Sequence, residues 1–229
     1  MENRNSMKNG RTGRILLMAC GVAFAAAVAL PKAAYADDVT LPPMPPAVQV
    51  TNGDVPFLVG HAVGTQNYVC LPSGSGVAFV LSTPEATLSD DSDEQIITHF
   101  FSPNPAEPNV NPAVSATGTI RATWQFSRDT SSVWALAKPG DSATFATDPG
   151  FVAPNAVAWL KLTAVGNAVG PNGGDKLANV TFVQRLSTHG GVAPATGCTS
   201  SADIGHLAFM PYTADYFFYR HPGNQGHGN

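Results

Sequence analysis

Charge is scarce in this chain. Asp, Glu, Lys and Arg make up 12% of its 229 residues, about half the usual share for a soluble domain. Cationic residues are scarcer still beyond the first 36 positions. The whole chain has 12 Lys and Arg against 16 Asp and Glu, and residues 1–36 hold five of the basic and one of the acidic side chains. Residues 37–229 therefore carry seven basic side chains against fifteen acidic ones, a net charge of −8. Such a balance makes a nucleic-acid backbone or an anionic lipid surface a poor candidate for the partner.

Long apolar runs are confined to one place. Ile15–Leu30 is apolar throughout, lies after Arg4, Lys8, Arg11 and Arg14, and leads to Ala34-Tyr35-Ala36. A basic region, an apolar stretch and a small-x-small site in that order predict a secretory signal peptide over residues 1–36. The run is short for a membrane-spanning helix. Leu17-Met18-Ala19-Cys20 is a poor lipoprotein box, because the apolar run continues ten residues past the cysteine. No later segment reads as transmembrane, so the chain is expected to be exported, to the periplasm or beyond the cell.

Cysteine is nearly absent. Cys20 lies within the signal, leaving Cys70 and Cys198. In an oxidising compartment an isolated pair reads as one disulfide, worth about 5 kcal/mol for so long a loop in the chain-entropy account. The alternative, a reactive Cys198 nine residues after His189, requires both thiols to remain reduced. The intervening His189-Gly190-Gly191 favours a turn over a catalytic base.

Catalytic signatures are missing as well. Ser73-Gly74-Ser75-Gly76 does not match the nucleophile elbow Gly-x-Ser-x-Gly. The nearest approach to a dinucleotide-binding loop, Gly74-Ser75-Gly76 onward, has Phe79 at its third glycine position and leads into a strand pattern. An NAD-dependent dehydrogenase is excluded on that ground, and no cofactor is expected. His61, His99, His189, His206, His221 and His227 form no His-x-His or His-x-x-x-His pair. A metal site would have to be assembled from separate strands, with His99, His206 and Asp215 as the weak candidates.

Sustained helical spacing is also missing, and period-two alternation takes its place. Ile120, Ala122, Trp124 and Phe126 share one face of the cleanest strand pattern. Further strands are expected over 67–71, 77–81, 132–138, 156–165, 178–186 and 212–220, with a turn at Pro84-Glu85 and room for one short helix near 89–98 or 200–207. The expected fold is all-β: a single-domain antiparallel sandwich or barrel of about seven to eight strands. A proline-rich lead-in spans 37–56, the β-rich domain 57–220 and a polar, flexible tail 221–229. Residues 102–118, punctuated by prolines, form a loop of unusual length.

Asp215 sits among aromatics on both faces of its strand, where a buried carboxylate needs a partner, and Arg185 is the obvious one. Trp124, Arg185, Tyr212 and Asp215 are the candidate ligand-binding residues. Their bland alternative is core packing around a structural ion pair.

The segments Gly64-Thr-Gln-Asn-Tyr-Val-Cys70, Thr83-Pro-Glu-Ala-Thr-Leu-Ser-Asp90, Val183-Gln-Arg-Leu-Ser-Thr-His-Gly-Gly-Val-Ala-Pro194 and Pro211-Tyr-Thr-Ala-Asp-Tyr-Phe-Phe-Tyr219 resemble, in order and combination, the domain of unknown function 3455 family. That resemblance implies an exported β-rich protein and supplies no activity. The favoured reading is a non-catalytic binding or envelope-associated module, its partner a small molecule or an envelope component. An extracytoplasmic metal-assisted enzyme and a purely structural protein are the alternatives.

Overall fold

The computed structural model describes residues 39–109, 111, 113 and 117–224. The expected signal peptide and the last five residues of the expected tail lie outside the described residues. Eight antiparallel strands succeed one another: β1 (Val55–Ser73), β2 (Gly76–Ser89), β3 (Gln95–Asn104), β4 (Thr119–Phe126), β5 (Ser132–Ala143), β6 (Trp159–Ala168), β7 (Phe182–Gly190) and β8 (Leu207–Arg220). Each pairs with the next, and β8 returns to β1 to close a barrel. Closure removes both sheet edges, and eight strands leave an interior just wide enough to be filled or to hold one small ligand.

Alternation along each strand sets what faces inward. Tyr212, Ala214, Tyr216 and Phe218 of β8 join Trp124 and Phe126 of β4, Val133 of β5 and Val183 of β7 in the interior core. The aromatics on the opposite face of β8, Phe217 and Tyr219, belong to a second core with Trp159, Leu186 and Val48. The proline-rich lead-in builds that second core. It lies along the outer wall, makes one 3₁₀ turn at Pro46–Val48, and accepts the Gln184 side-chain amide at Val48 O. Tyr219 Oη donates to Gln184 Oε1 at 2.5 Å, completing the outer layer. A strand with aromatics on both faces is thus buried on both faces. Proline suits the covering strap, because a segment without ladder partners has no use for the missing N–H.

Up-and-down order sends alternate connections to opposite ends. One end carries the short turn between β1 and β2 and the long connections 105–118, 144–158 and 191–206. At the other end the connection 169–181 folds inward and places Leu177 and Val180 in the interior core, plugging the barrel. Asp129 locks this plug, accepting the N–H of Lys176 at 3.0 Å and that of Ser131 at 2.8 Å. The first end is held by the Cys70–Cys198 disulfide, which ties the 191–206 connection to β1.

Three local expectations change. Pro84-Glu85 is not a turn but lies within β2, where the strand has no ladder with β3 before Ala86 and a proline is tolerated. Residues 89–98 form no helix: Asp90 accepts the N–H groups of Ser92 and Glu94, making a tight turn into β3. In the 200–207 stretch only a 3₁₀ turn forms, over Ser201–Asp203. The His189-Gly190-Gly191 sequence does end a strand. Gly190 has φ +68°, and a Cβ there would stand 2.5 Å from Pro211 O, so only glycine fits.

Candidate functional site

The plugged end leaves the other end of the barrel unfilled. A cavity of about 270 Å³ lies in the lumen there, walled by Leu81, Phe101, Ile120, Leu160 and Leu162 among apolar residues. Its polar wall includes Gln66, His99, Trp124, Arg185 and Tyr216. It sits where the strands part: β2 and β3 pair only from Ala86–His99 to Ser89–Gln95.

His99 is at the centre of the wall. It stands directly opposite Trp124 across the β3–β4 ladder and stacks on the indole, with ring centroids 4.3 Å apart and planes 6° from parallel. Tyr216 closes the other side at 5.2 Å. The Nδ1–H donates to Thr123 O at 2.8 Å, which leaves Nε2 as the acceptor of a neutral ring. Burial lowers the imidazole pKa to about 3, and the nearby Arg185 charge works in the same direction.

Arg185 enters the lumen from β7. Its Nε and Nη2 donate to Ala158 O at 3.1 and 2.8 Å. The groups that feel its charge are Tyr68, His99, Tyr212 and Tyr216, all neutral, and the Tyr216 hydroxyl is its polar neighbour in the wall. Among the described residues no carboxylate pairs with it, and none lines the cavity. Two more donors lie buried behind that wall. Trp124 is 1% exposed and Gln66 2% exposed, and neither Trp124 Nε1 nor Gln66 Nε2 has a hydrogen-bond partner. The Gln66 amide neighbours the Tyr212 hydroxyl, without the geometry of a bond. Tyr212 Oη and Tyr216 Oη meet at 3.2 Å behind the cavity. Burial raises the pKa of both phenols, so they stay protonated.

Of the four candidate ligand residues, the structure brings Trp124 and Arg185 to one cavity, with Tyr212 behind them. It separates Asp215. In the β7–β8 ladder Arg185 stands opposite Tyr216, and Asp215 stands opposite Leu186, so the two charged side chains leave opposite faces. The Arg185–Asp215 ion pair does not form. Asp215 instead accepts from His61 Nδ1 at 2.7 Å on the outer wall, while His61 Nε2 contacts Asp91 at 2.8 Å. Hydrogen bonds to these two carboxylates raise the His61 pKa. Neither His61 nor Asp91 carries a signal in the sequence, since the register that joins them spans distant segments. The weak metal candidates also disperse: His99 is in the lumen, Asp215 on the outer wall, and His206 beside Gly197 near the disulfide. Among the described residues no group of three His, Cys, Asp or Glu is placed to hold a metal. His221, expected in a flexible tail, pairs with the buried Asp54.

The fold and this site define a closed, disulfide-tied antiparallel β-barrel with an accessible, mostly apolar lumen. A family model described as "Protein of unknown function (DUF3455)" matches residues 51–220, from just before β1 to the last residue of β8, and the chain belongs to that family. No curated protein and no solved structure matches it. Among the described residues no helix is long and apolar enough to cross a membrane.

Proposed function

We propose that the protein is an exported binding module that holds a small molecule in the barrel lumen without transforming it. The observation that carries this reading is the cavity itself, apolar over most of its wall and set with the Arg185 guanidinium, which no described carboxylate faces. The wall is poor in chemistry. Its described residues include no Ser, Cys, Lys, Asp or Glu, and a histidine with a pKa of about 3 is a feeble base at neutral pH. Export is supported by the basic-then-apolar leader and by a disulfide, which persists in oxidising compartments.

A cavity of about 270 Å³ has room for roughly ten non-hydrogen atoms, scaling from the 150 Å³ cavity that takes up benzene. Indole, neutral and of that size, is a suitable first probe. Calorimetric titration is expected to show saturable binding at one site per barrel. Ala137 lines the cavity and is solvent-exposed, so a large side chain is tolerated there. Ala137→Trp is expected to reduce indole affinity at least tenfold with the melting temperature unchanged. Non-saturable uptake, or equal binding by the two proteins, would defeat the lumen assignment.

A further inference from the structure

We infer that the lumen selects a small organic monoanion, a carboxylate on an apolar body, with Arg185 as the residue that reads the charge. This rests on the binding-module reading and names its ligand class. Three observations combine. The cavity wall contributes one cation with no described carboxylate facing it, because the second arginine near the mouth, Arg121, is already held by Glu107 through two bonds of 2.8 Å. Arg185 spends Nε and Nη2 on a single carbonyl and otherwise meets the neutral Tyr216 hydroxyl, so its charge is left for a guest. Trp124 Nε1 and Gln66 Nε2 add two buried donors that lack acceptors.

A cation without a described counter-ion, set in an apolar wall, describes a site whose missing component is an anion. The rest of the wall limits which anion. A single cation balances a monoanion and leaves a phosphate dianion half-compensated. Leu81, Phe101, Ile120 and Leu160 would strip water from any inorganic ion without replacing it. The guest therefore carries its charge at one end and hydrocarbon over the remainder.

Benzoate against benzamide, and hexanoate against hexanamide, test the assignment by calorimetry at fixed low ionic strength. Each pair keeps shape and changes charge. At least one carboxylate is expected to bind tenfold or more tightly than its amide in the wild type. Arg185→Gln should bring that ratio close to one while changing amide affinity less than threefold. Because Arg185 also supports Ala158 O, a second variant leaves it in place: Leu160 is its direct partner across the β6–β7 ladder and shares the cavity wall. Leu160→Glu supplies an internal carboxylate and is expected to abolish the preference for the anion. Equal binding of carboxylate and amide by the wild type, or a preference that survives both variants, overturns the assignment. If indole binds under those results, the binding module stands and only its ligand class falls; if indole and all four compounds fail to bind, both fall.

Discussion

Removing the Cys70–Cys198 bridge by the double substitution Cys70→Ala and Cys198→Ala is expected to destabilise the fold by between about 2 and 5 kcal/mol. The bridge joins residues 128 apart in sequence, and in the chain-entropy account so long a loop restricts the unfolded chain by about 5 kcal/mol. Native stabilities are typically about 5–15 kcal/mol, so this is the largest single effect expected from any small change. Alanine is the appropriate replacement, because Cys70 is fully buried and a serine hydroxyl there would need a partner. Neighbouring backbone bonds, Cys70 N to His206 O and Gly205 N to Cys70 O, keep the native connection in place without the bridge. The loss should therefore arise mainly in the unfolded state. Urea unfolding of wild type and variant measures it, and the variant's m-value should rise as its unfolded chain expands. A loss below about 1 kcal/mol would show that the bridge leaves the unfolded ensemble as it was.

Mild acid is the second large effect. His99 is 3% exposed and titrates near 3 in the folded barrel, whereas an unfolded histidine titrates near 6.5. Between those values the unfolded chain binds one more proton, so stability falls with pH by up to about 1.4 kcal/mol per unit. From pH 6.5 to 5 the loss is about 1.6 kcal/mol, because the unfolded histidine is already half protonated at the upper limit. Other groups leave this window clear. His61, whose folded pKa is raised, contributes fully below its unfolded value and loses that contribution only as pH rises through the folded one. Asp54, Asp90, Glu107 and Asp203 have lowered pKa values, and their contributions fade as pH falls through the carboxylate range, mostly below about pH 5. His99→Phe keeps a ring against Trp124 and removes the titrating group. Its stability should be nearly flat from pH 6.5 to 5, and a slope equal to that of the wild type would contradict a neutral buried His99.

Much of the architecture is legible in the sequence because period-two alternation is a local property. Ile120, Ala122, Trp124 and Phe126 announce an inward face, and the barrel agrees. The two cysteines after residue 36 announce their pairing by having no other partner in that stretch. What stays hidden depends on which elements cover which wall. Tyr216 and Phe217 are both buried, one in the lumen and one under the proline-rich strap, so the composition of β8 cannot tell inside from outside. Sequence alone therefore pairs Arg185 with Asp215, although a ladder that places Arg185 opposite Tyr216 sends Asp215 outward. His61 escapes notice for a related reason. Gly60 and Gly64 break the apolar pattern of β1, and the partner carboxylates come from β8 and from the turn after β2. Within the lumen, Arg185 and Trp124 are legible as residues. That no carboxylate among the described residues faces them depends on closure of the barrel, which no local stretch encodes.

The indole N–H of Trp124 offers the most direct test of an anion held in the lumen. Trp134 Nε1 already donates to Ser102 at 2.8 Å, and Trp159 belongs to the outer core under the strap. Trp124 alone of the three lines the cavity, and its buried Nε1 is without a partner. In a proton–nitrogen NMR titration with benzoate, one indole resonance should move downfield and saturate together with the calorimetric binding curve. It should be the resonance missing from Trp124→Phe, and the other two should stay in place. A saturating titration that leaves the Trp124 signal unmoved would put the ligand outside the lumen and contradict the proposed site.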